Sequence, residues 1–295
     1  MTWRFALVID PVAADDERGG YRDTFTPIDP SEPALSVGEL STQRGDGIFE
    51  SIGVVDRHPQ EVGAHLERLA HSAALCDLPV PNLRQWREAV DEVALRCPPA
   101  GEGVVKLILS RGVEHGPAPT AWATAAEAPD NSRARRDGVS LATLDRGYAM
   151  DVPSRAPWLL LGAKTLSYAV NMAAIREARR RGADDALFVS ADGFVLEAPT
   201  ASLVLRVGGR FLTPAPTGGI LHGTTQLSLF ERLEALGHET GYETMPVSRL
   251  AEADAGWLLS SIRLAAPIRA VDAVTYDIDA ELTASINEYL LSPRD

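Results

Sequence analysis

At 295 residues, 45% of them hydrophobic and 23% charged, the chain is long enough for two domains of ordinary size and has the composition of a globular protein. Its formal net charge of -13 and pI near 4.9 exclude a basic footprint over the chain as a whole, so no nucleic-acid partner is expected. The apolar run before Asp10 spans only about five residues, too few for a signal-peptide core or a membrane span. A cytoplasmic protein with no membrane partner is expected.

In chain order, Arg4 to Asp10 predicts a strand, and the Asp-, Glu-, Arg- and Gly-rich stretch from Asp15 to Glu32 predicts an exposed loop or mobile arm, with order resuming near Leu35. Leu66, Leu69, Ala73 and Cys76 recur at helical spacing and predict a helix over Val62 to Asp77. A second helix is predicted from Leu83 to Cys97, stopped by Pro98 and Pro99. Neither Cys76 nor Cys97 has a further Cys or a His at ligand spacing, so no metal is expected. Strands are predicted over Gly103 to Ser110, around Ala121 to Ala125, and over Val139 to Leu144. The proline-containing segment 147–157 is the expected linker between a small α/β domain, 1–146, and a larger one, 158–295.

The second half opens on the apolar run from Trp158 to Ala163, which delivers Lys164 and is followed by a helix from about Leu166 to Arg181, capped by Gly182. Ala186 to Ser190 and Phe194 to Leu196 flank Asp192-Gly193, a hairpin signal. Strands near Ser202 to Val207, Phe211 to Thr213, Tyr242 to Val247 and Trp257 to Ser260, with a helix from Thr225 to Leu236, complete an α+β pattern.

Three places in this pattern can carry chemistry. Lys164, the single lysine of the second half, follows three leucines, and an apolar neighbourhood lowers a lysine's pKa and frees its amine as nucleophile and base. Taken alone it is more often a surface lysine at a strand end. Glu197 closes the second arm of the hairpin at the rim of an apolar layer; alone it is an ordinary solvated strand end, but opposite a pyridine nitrogen it would keep that nitrogen protonated. Gly223-Thr224-Thr225 begins a helix, where unpaired N–H groups and small hydroxyls suit either an anion or a plain cap.

Together these stretches resemble the class IV pyridoxal-phosphate family, which includes branched-chain and D-amino-acid transaminases and 4-amino-4-deoxychorismate lyase. The carriers, between about Leu35 and Val271, are Gly45-Asp-Gly-Ile-Phe-Glu50, His65-Leu-Glu-Arg68-Leu, Lys106-Leu-Ile-Leu-Ser-Arg111-Gly, Ala163-Lys164, Val195-Leu-Glu197 and Gly219-Ile-Leu-His-Gly-Thr-Thr225. The resemblance implies an α+β, fold type IV enzyme of two domains that binds pyridoxal 5'-phosphate, with Lys164 as its Schiff-base lysine and catalytic base. It further implies Glu197 at the pyridine nitrogen, Leu221 packed on the ring, and the phosphate held by Arg68, Thr224, Thr225 and Ser261. An arginine suits that last task because its planar fork can hold two phosphate oxygens. The sequence departs from the family pattern at Ser202, where asparagine is usual, at Gln226, where many members have arginine, and at Tyr168, one residue nearer the lysine than the ring-hydroxyl tyrosine of branched-chain enzymes, and so without an assigned role.

The runs Ala163–Met172, Gly223–Gln226 and Leu259–Ile262 look most similar to actinobacterial lyases, whereas Phe49-Glu50 resembles the transaminase pattern. The first expectation is therefore a lyase that converts 4-amino-4-deoxychorismate to 4-aminobenzoate and pyruvate, a step in folate biosynthesis, with Arg111 and Arg263 for the substrate carboxylates. A transaminase acting on D-amino acids, branched-chain amino acids or amines is the alternative. A non-catalytic binding protein of the same fold is the remote one, since Lys164 and Glu197 are both present. The resemblance also implies a homodimer, with the Asp15 to Glu32 arm as a contributor.

Overall fold

The computed structural model describes residues 2–295 and falls into two compact units. The first runs to Pro129 and takes in Ala163–Tyr168 and Ser292–Asp295; the second comprises Asp130–Gly162 and Ala169–Leu291.

The first unit is built on strands β1 (Trp3–Ile9), β2 (Phe25–Ile28), β3 (Gly47–Val55), β4 (His58–Pro59), β5 (Glu102–Ser110) and β6 (Thr120–Glu127), with helices α1 (Leu40–Gln43), α2 (Val62–Leu75) and α3 (Leu83–Ala94). The strands form one antiparallel sheet in the order β2-β1-β6-β5-β3-β4. Alternation on β3 buries Ile48, Glu50, Ile52 and Val54 together, and α2 packs against this strand with Leu66, Leu69 and Ala73 inward. On α3, Asn82 caps the N-terminus by accepting the Gln85 N–H at 3.0 Å, and Trp86, Ala89, Val90 and Val93 are fully buried.

The Asp15 to Glu32 segment is not the free arm that its composition predicts. It supplies edge strand β2, and α3 fastens it: Asn82 Nδ2 donates to the Ala13 and Asp16 carbonyls at 2.9 Å, and Gln85 Nε2 donates to the Asp10 carbonyl at 2.7 Å and to Thr24 Oγ1 at 2.8 Å. Tyr21 is 3% exposed. Two buried amides on a helix thus hold a stretch whose charged side chains point outward.

The second unit contains α4 (Ser132–Asp137), β7 (Val139–Asp145), α5 (Val152–Arg155), α6 (Ala169–Arg180), β8 (Asp185–Val189), β9 (Ser202–Val207), β10 (Arg210–Pro214), α7 (Thr224–Ala235), β11 (Thr240–Glu243), β12 (Ala255–Ser260), β13 (Leu264–Val271), β14 (Val274–Thr275) and α8 (Ala280–Leu291). Its mixed sheet runs β11-β10-β9-β12-β13-β7-β8, with β14 paired to β13. The two faces separate by the period of two: Leu203, Leu205 and Leu258 lie in one core with Leu187 and Ile268, while Val204, Trp257 and Leu259 lie in another with Leu229, Phe230 and Leu233 of α7 and Ile286 and Leu290 of α8. Strand β13 and helices α4 and α8 have no counterpart among the sequence-derived elements. The second arm of the Asp192-Gly193 hairpin makes only isolated bridges, Val189 to Val195 and Phe194 to Pro246, with Gly193 at φ +89 in the turn.

The units divide at 129/130 rather than at the expected linker, 147–157. From Asp130 onward the chain packs within the second unit: α4 lies on β13, β7 pairs in parallel with both β13 and β8, and the Tyr148 carbonyl accepts the Ala191 N–H at 2.9 Å. Residues 163–168 return to the first unit because they pair with β3. Among the described residues no helix is long and apolar enough to cross a membrane.

Candidate functional site

Lys164, Arg68 and Arg111 belong to the first unit. The lysine is set by backbone pairing to β3: Thr165 bridges Ile48, the Phe49 N–H donates to the Lys164 carbonyl at 3.0 Å, and the Leu166 N–H donates to the Gly47 carbonyl at 2.8 Å. From the other side the Lys164 N–H donates to Ser72 Oγ on α2 at 3.1 Å. Glycine is required at 47 for this approach, since a Cβ there would lie 2.8 Å from the Leu109 carbonyl oxygen, Ser110 Cα and Leu166 Cδ1. Half-buried, Lys164 places Nζ 4.7 Å from the centre of the Phe49 ring, which in turn packs edge-on against Tyr168 at 5.3 Å and 85°. An apolar neighbour is therefore Phe49, and in the preceding run Trp158 is 74% and Leu159 50% exposed.

On α2, Arg68 lies three residues after His65, one helical turn along the same face. Both meet Glu50, which is fully buried in β3. Arg68 Nε donates to Oε1 at 2.7 Å and Nη2 to Oε2 at 2.8 Å, and His65 Nδ1 lies 2.7 Å from Oε2. Burial alone would push the Glu50 carboxyl up; the Arg68 guanidinium and then His65 outweigh it and hold the group far below the ordinary carboxylate range. Glu50 has no role among the residues expected from sequence, although a carboxylate amid Ile48, Ile52 and Val54 on an inward face demands a partner, which is the signal the sequence carries.

Arg111, at the end of β5, is already engaged. Nε donates to Asp46 Oδ2 at 2.8 Å, while Nη1 and Nη2 donate to the Asp77 and Cys76 carbonyls at 3.1 and 2.7 Å, closing the C-terminal end of α2.

The remaining candidates belong to the second unit. Glu197 follows the buried Val195 and Leu196, and both of its carboxylate oxygens stand 3.2 Å from the Leu221 N–H, fixing the carboxylate against the turn that carries Leu221. Thr224 and Thr225 open the 12-residue helix α7, and their Oγ1 atoms lie 3.4 and 3.3 Å from Ser261 Oγ. Three hydroxyls thus converge at a helix N-terminus, where first-turn N–H groups lack intrahelical acceptors. A Cβ at Gly223 would sit 2.3 Å from Ser202 Oγ, so glycine is required at this N-cap with serine at 202. A dianion suits this donor set: hydroxyls and backbone N–H groups, with the helix dipole directed favourably. Arg263 is bound through Nη1 and Nη2 to Asp185 Oδ2, each at 2.9 Å, and Asp185 is 4% exposed.

Tyr148, also unassigned from sequence, lies in the same unit. Burial raises its phenol pKa, Arg146 opposes the shift and the Glu197 charge adds to it, so the tyrosine stays protonated within the field of that carboxylate. Among the described residues no cluster of His, Cys, Asp and Glu is arranged to hold a metal ion.

Comparison with known proteins identifies the family. The family model for amino-transferase class IV matches residues 47–271, more than half of the chain. A bifunctional aminodeoxychorismate lyase / D-amino acid transaminase of Mycobacterium tuberculosis is 46% identical over 255 residues, 83% of this chain and 88% of that protein. Among solved structures, the fold IV-transaminase CpuTA1 of Curtobacterium pusillum superposes with a TM-score of 0.91 at 46% identity, covering 98% of this chain and 99% of that one. A PLP-bound hypothetical aminotransferase of Mycobacterium tuberculosis gives 0.85 at 41% identity, covering 97% and 98%. The chain belongs to the class IV aminotransferases, a fold type IV family of pyridoxal-phosphate enzymes.

Proposed function

We propose that the protein is a pyridoxal-phosphate-dependent 4-amino-4-deoxychorismate lyase that releases 4-aminobenzoate and pyruvate. The observation that carries this reading is the 46% identity to a protein named for that lyase activity, extending over 83% of the chain. In this reading Arg68, Thr224, Thr225 and Ser261 hold the cofactor phosphate; Glu197 faces the pyridine nitrogen; Leu221 packs on the ring. When bound, pyridoxal phosphate supplies an electron sink for the charge left after a proton is removed from the carbon bearing the amino group.

The chain's own residues do the rest. Lys164 Nζ, with an aromatic face on one side, anchors the cofactor, takes the C4 proton of the substrate as free amine, and returns a proton to the departing enolpyruvate. Glu197 presents its carboxylate at a fixed place, because the Leu221 N–H holds its orientation. Of the two arginines expected to meet substrate carboxylates, Arg111 is the one we retain. Its ion pair with Asp46 is exposed and hence weak, so a substrate carboxylate can compete with Asp46 while Nη1 and Nη2 stay on the Asp77 and Cys76 carbonyls, whereas the Arg263–Asp185 pair is buried.

A second reading, D-amino-acid transamination at the same site, is favoured by the second half of the Mycobacterium protein's name and by the likeness to CpuTA1. Incubation of the holoenzyme with 4-amino-4-deoxychorismate, followed by detection of 4-aminobenzoate, tests the first; amino-group exchange between D-alanine and a 2-oxo acid tests the second. Exchange without 4-aminobenzoate would overturn the lyase assignment.

A further inference from the structure

We infer that Glu50, with His65 behind it, is a positioning residue for the cofactor's phosphate, acting through Arg68. The inference rests on the assignment of Arg68 to that phosphate under the proposed function, and adds a residue that the assignment does not contain. Left alone, an arginine on a helix surface samples many rotamers, and its affinity for a phosphate is reduced by the entropy of freezing them. Here the freezing has already taken place. Glu50 takes Nε and Nη2 on separate oxygens at 2.7 and 2.8 Å, a two-point contact that fixes both the position and the plane of the guanidinium.

The carboxylate is itself immobile. It is 0% exposed in the middle of a nine-residue strand, and its Oε2 is further held by His65 Nδ1 at 2.7 Å and by the Ser51 N–H at 3.3 Å. Arg68 and His65 come from one turn of α2, so strand and helix are joined at this point by charge-assisted hydrogen bonds rather than by apolar packing alone. A merely structural ion pair at this place would be an expensive one. Replacing a buried pair by apolar residues is often neutral or stabilising, so stability alone gives little reason for burying a carboxylate and a guanidinium together. Preorganisation of an anion-binding group gives a specific one.

The test compares two ligands that differ only in the phosphate. Holoenzyme is resolved and titrated with pyridoxal 5'-phosphate and, separately, with pyridoxal, in wild type, E50Q, R68K and the double variant. Expected is a loss of pyridoxal-phosphate affinity of about tenfold or more in E50Q, the scale of one charge-assisted hydrogen bond, with pyridoxal affinity changed less than about threefold. The double variant should bind pyridoxal phosphate no more weakly than R68K alone, because both substitutions remove the same interaction. Retained pyridoxal binding reports that the variant is folded; should E50Q not fold, H65Q, which breaks one of the contacts to Oε2, is expected to give a smaller loss with the same ligand dependence. The inference is overturned if R68K weakens pyridoxal phosphate selectively while E50Q and H65Q leave the ratio of the two affinities unchanged or raise it. If R68K itself leaves the ratio unchanged, the phosphate assignment of Arg68 fails and takes the inference with it.

Discussion

The two units hold the residues proposed for the chemistry by different means. In the first, the proposed groups are side chains held by other side chains: Arg68 by Glu50, Glu50 by His65, and Lys164 Nζ beside Phe49, which Tyr168 supports. In the second, the backbone does most of the holding. The Leu221 N–H orients Glu197, and the start of α7 brings Thr224 and Thr225 to Ser261. A network of charged side chains places an atom accurately but fails when one member is lost, because each buried partner is then left unpaired. A scaffold of N–H groups survives side-chain substitution, since every residue except proline carries the same donor. The first unit is accordingly where single substitutions should be most damaging to the protein as a whole, and the second where they should remove one function at a time.

Lys164→Ala sets the upper end of this scale. Losing the amine removes anchor, base and acid together, so activity should fall at least about 1,000-fold and the visible absorption of the purified enzyme should vanish. A variant that keeps both its band and its turnover would show that the chemistry does not run through this lysine. Glu197→Gln comes next. The proposed phosphate donors are untouched, so the cofactor should stay bound, while kcat falls about 100- to 1,000-fold, the usual loss when one preorganised charge-stabilising group is removed. Steady-state kinetics beside a cofactor titration would separate the two effects; near-normal kcat with the cofactor lost would reverse the roles given to Glu197 and to the hydroxyl cluster.

The smallest effect is expected at Lys106 on β5, the other of the chain's two lysines and one outside the proposed chemistry. It is half-buried with Nζ 5.7 Å from the Trp3 ring centre, and burial lowers its pKa below the ordinary 10.5. The unfolded chain therefore binds the proton more tightly than the folded one. Below the lowered value the group opposes folding, and that penalty fades as pH rises towards 10.5, where both states are neutral. Lys106→Met should raise Tm at pH 7 and raise it less near pH 10, with catalysis unchanged. Thermal unfolding at the two pH values decides it, and a larger stabilisation at high pH would contradict the sign.

What the sequence disclosed follows the same division. The start of α7 was legible because an anion-suited end needs only a glycine, two threonines and an apolar stripe that are contiguous in the chain, and the α7 and β9 boundaries fall within a residue of those predicted. The β8 turn was legible for a similar reason, since Asp-Gly states its own backbone conformation. Glu50 was not, because its partners lie 15 and 18 positions away on another element and nothing local marks them. Lys164 was found for an incomplete reason: the leucines before it suggested an apolar site, yet the ring beside it belongs to Phe49, delivered by a pairing between distant segments. Strand β13 escaped because Pro267 and Arg269 interrupt its apolar run, and the arm of residues 15–32 was misjudged because composition describes solvent-facing side chains and not where the backbone is pinned.

The assignment of residues 163–168 to the first unit also bears on how the protein can be dissected. The main chain leaves that unit after Pro129, re-enters for six residues, leaves again, and returns for its last four. Neither unit is a continuous stretch of polypeptide. A fragment stopping at Pro129 would lack the segment that pairs with β3, together with Arg294, whose guanidinium reaches Glu61 at the head of α2. A fragment beginning at Asp130 would carry those residues with nothing for them to pair with. Exchange of the first unit between relatives therefore has to transplant three separate pieces of chain at once, and of the second unit two, and a new terminus is best placed at an exposed turn outside 163–168, such as Gly208-Gly209 between β9 and β10.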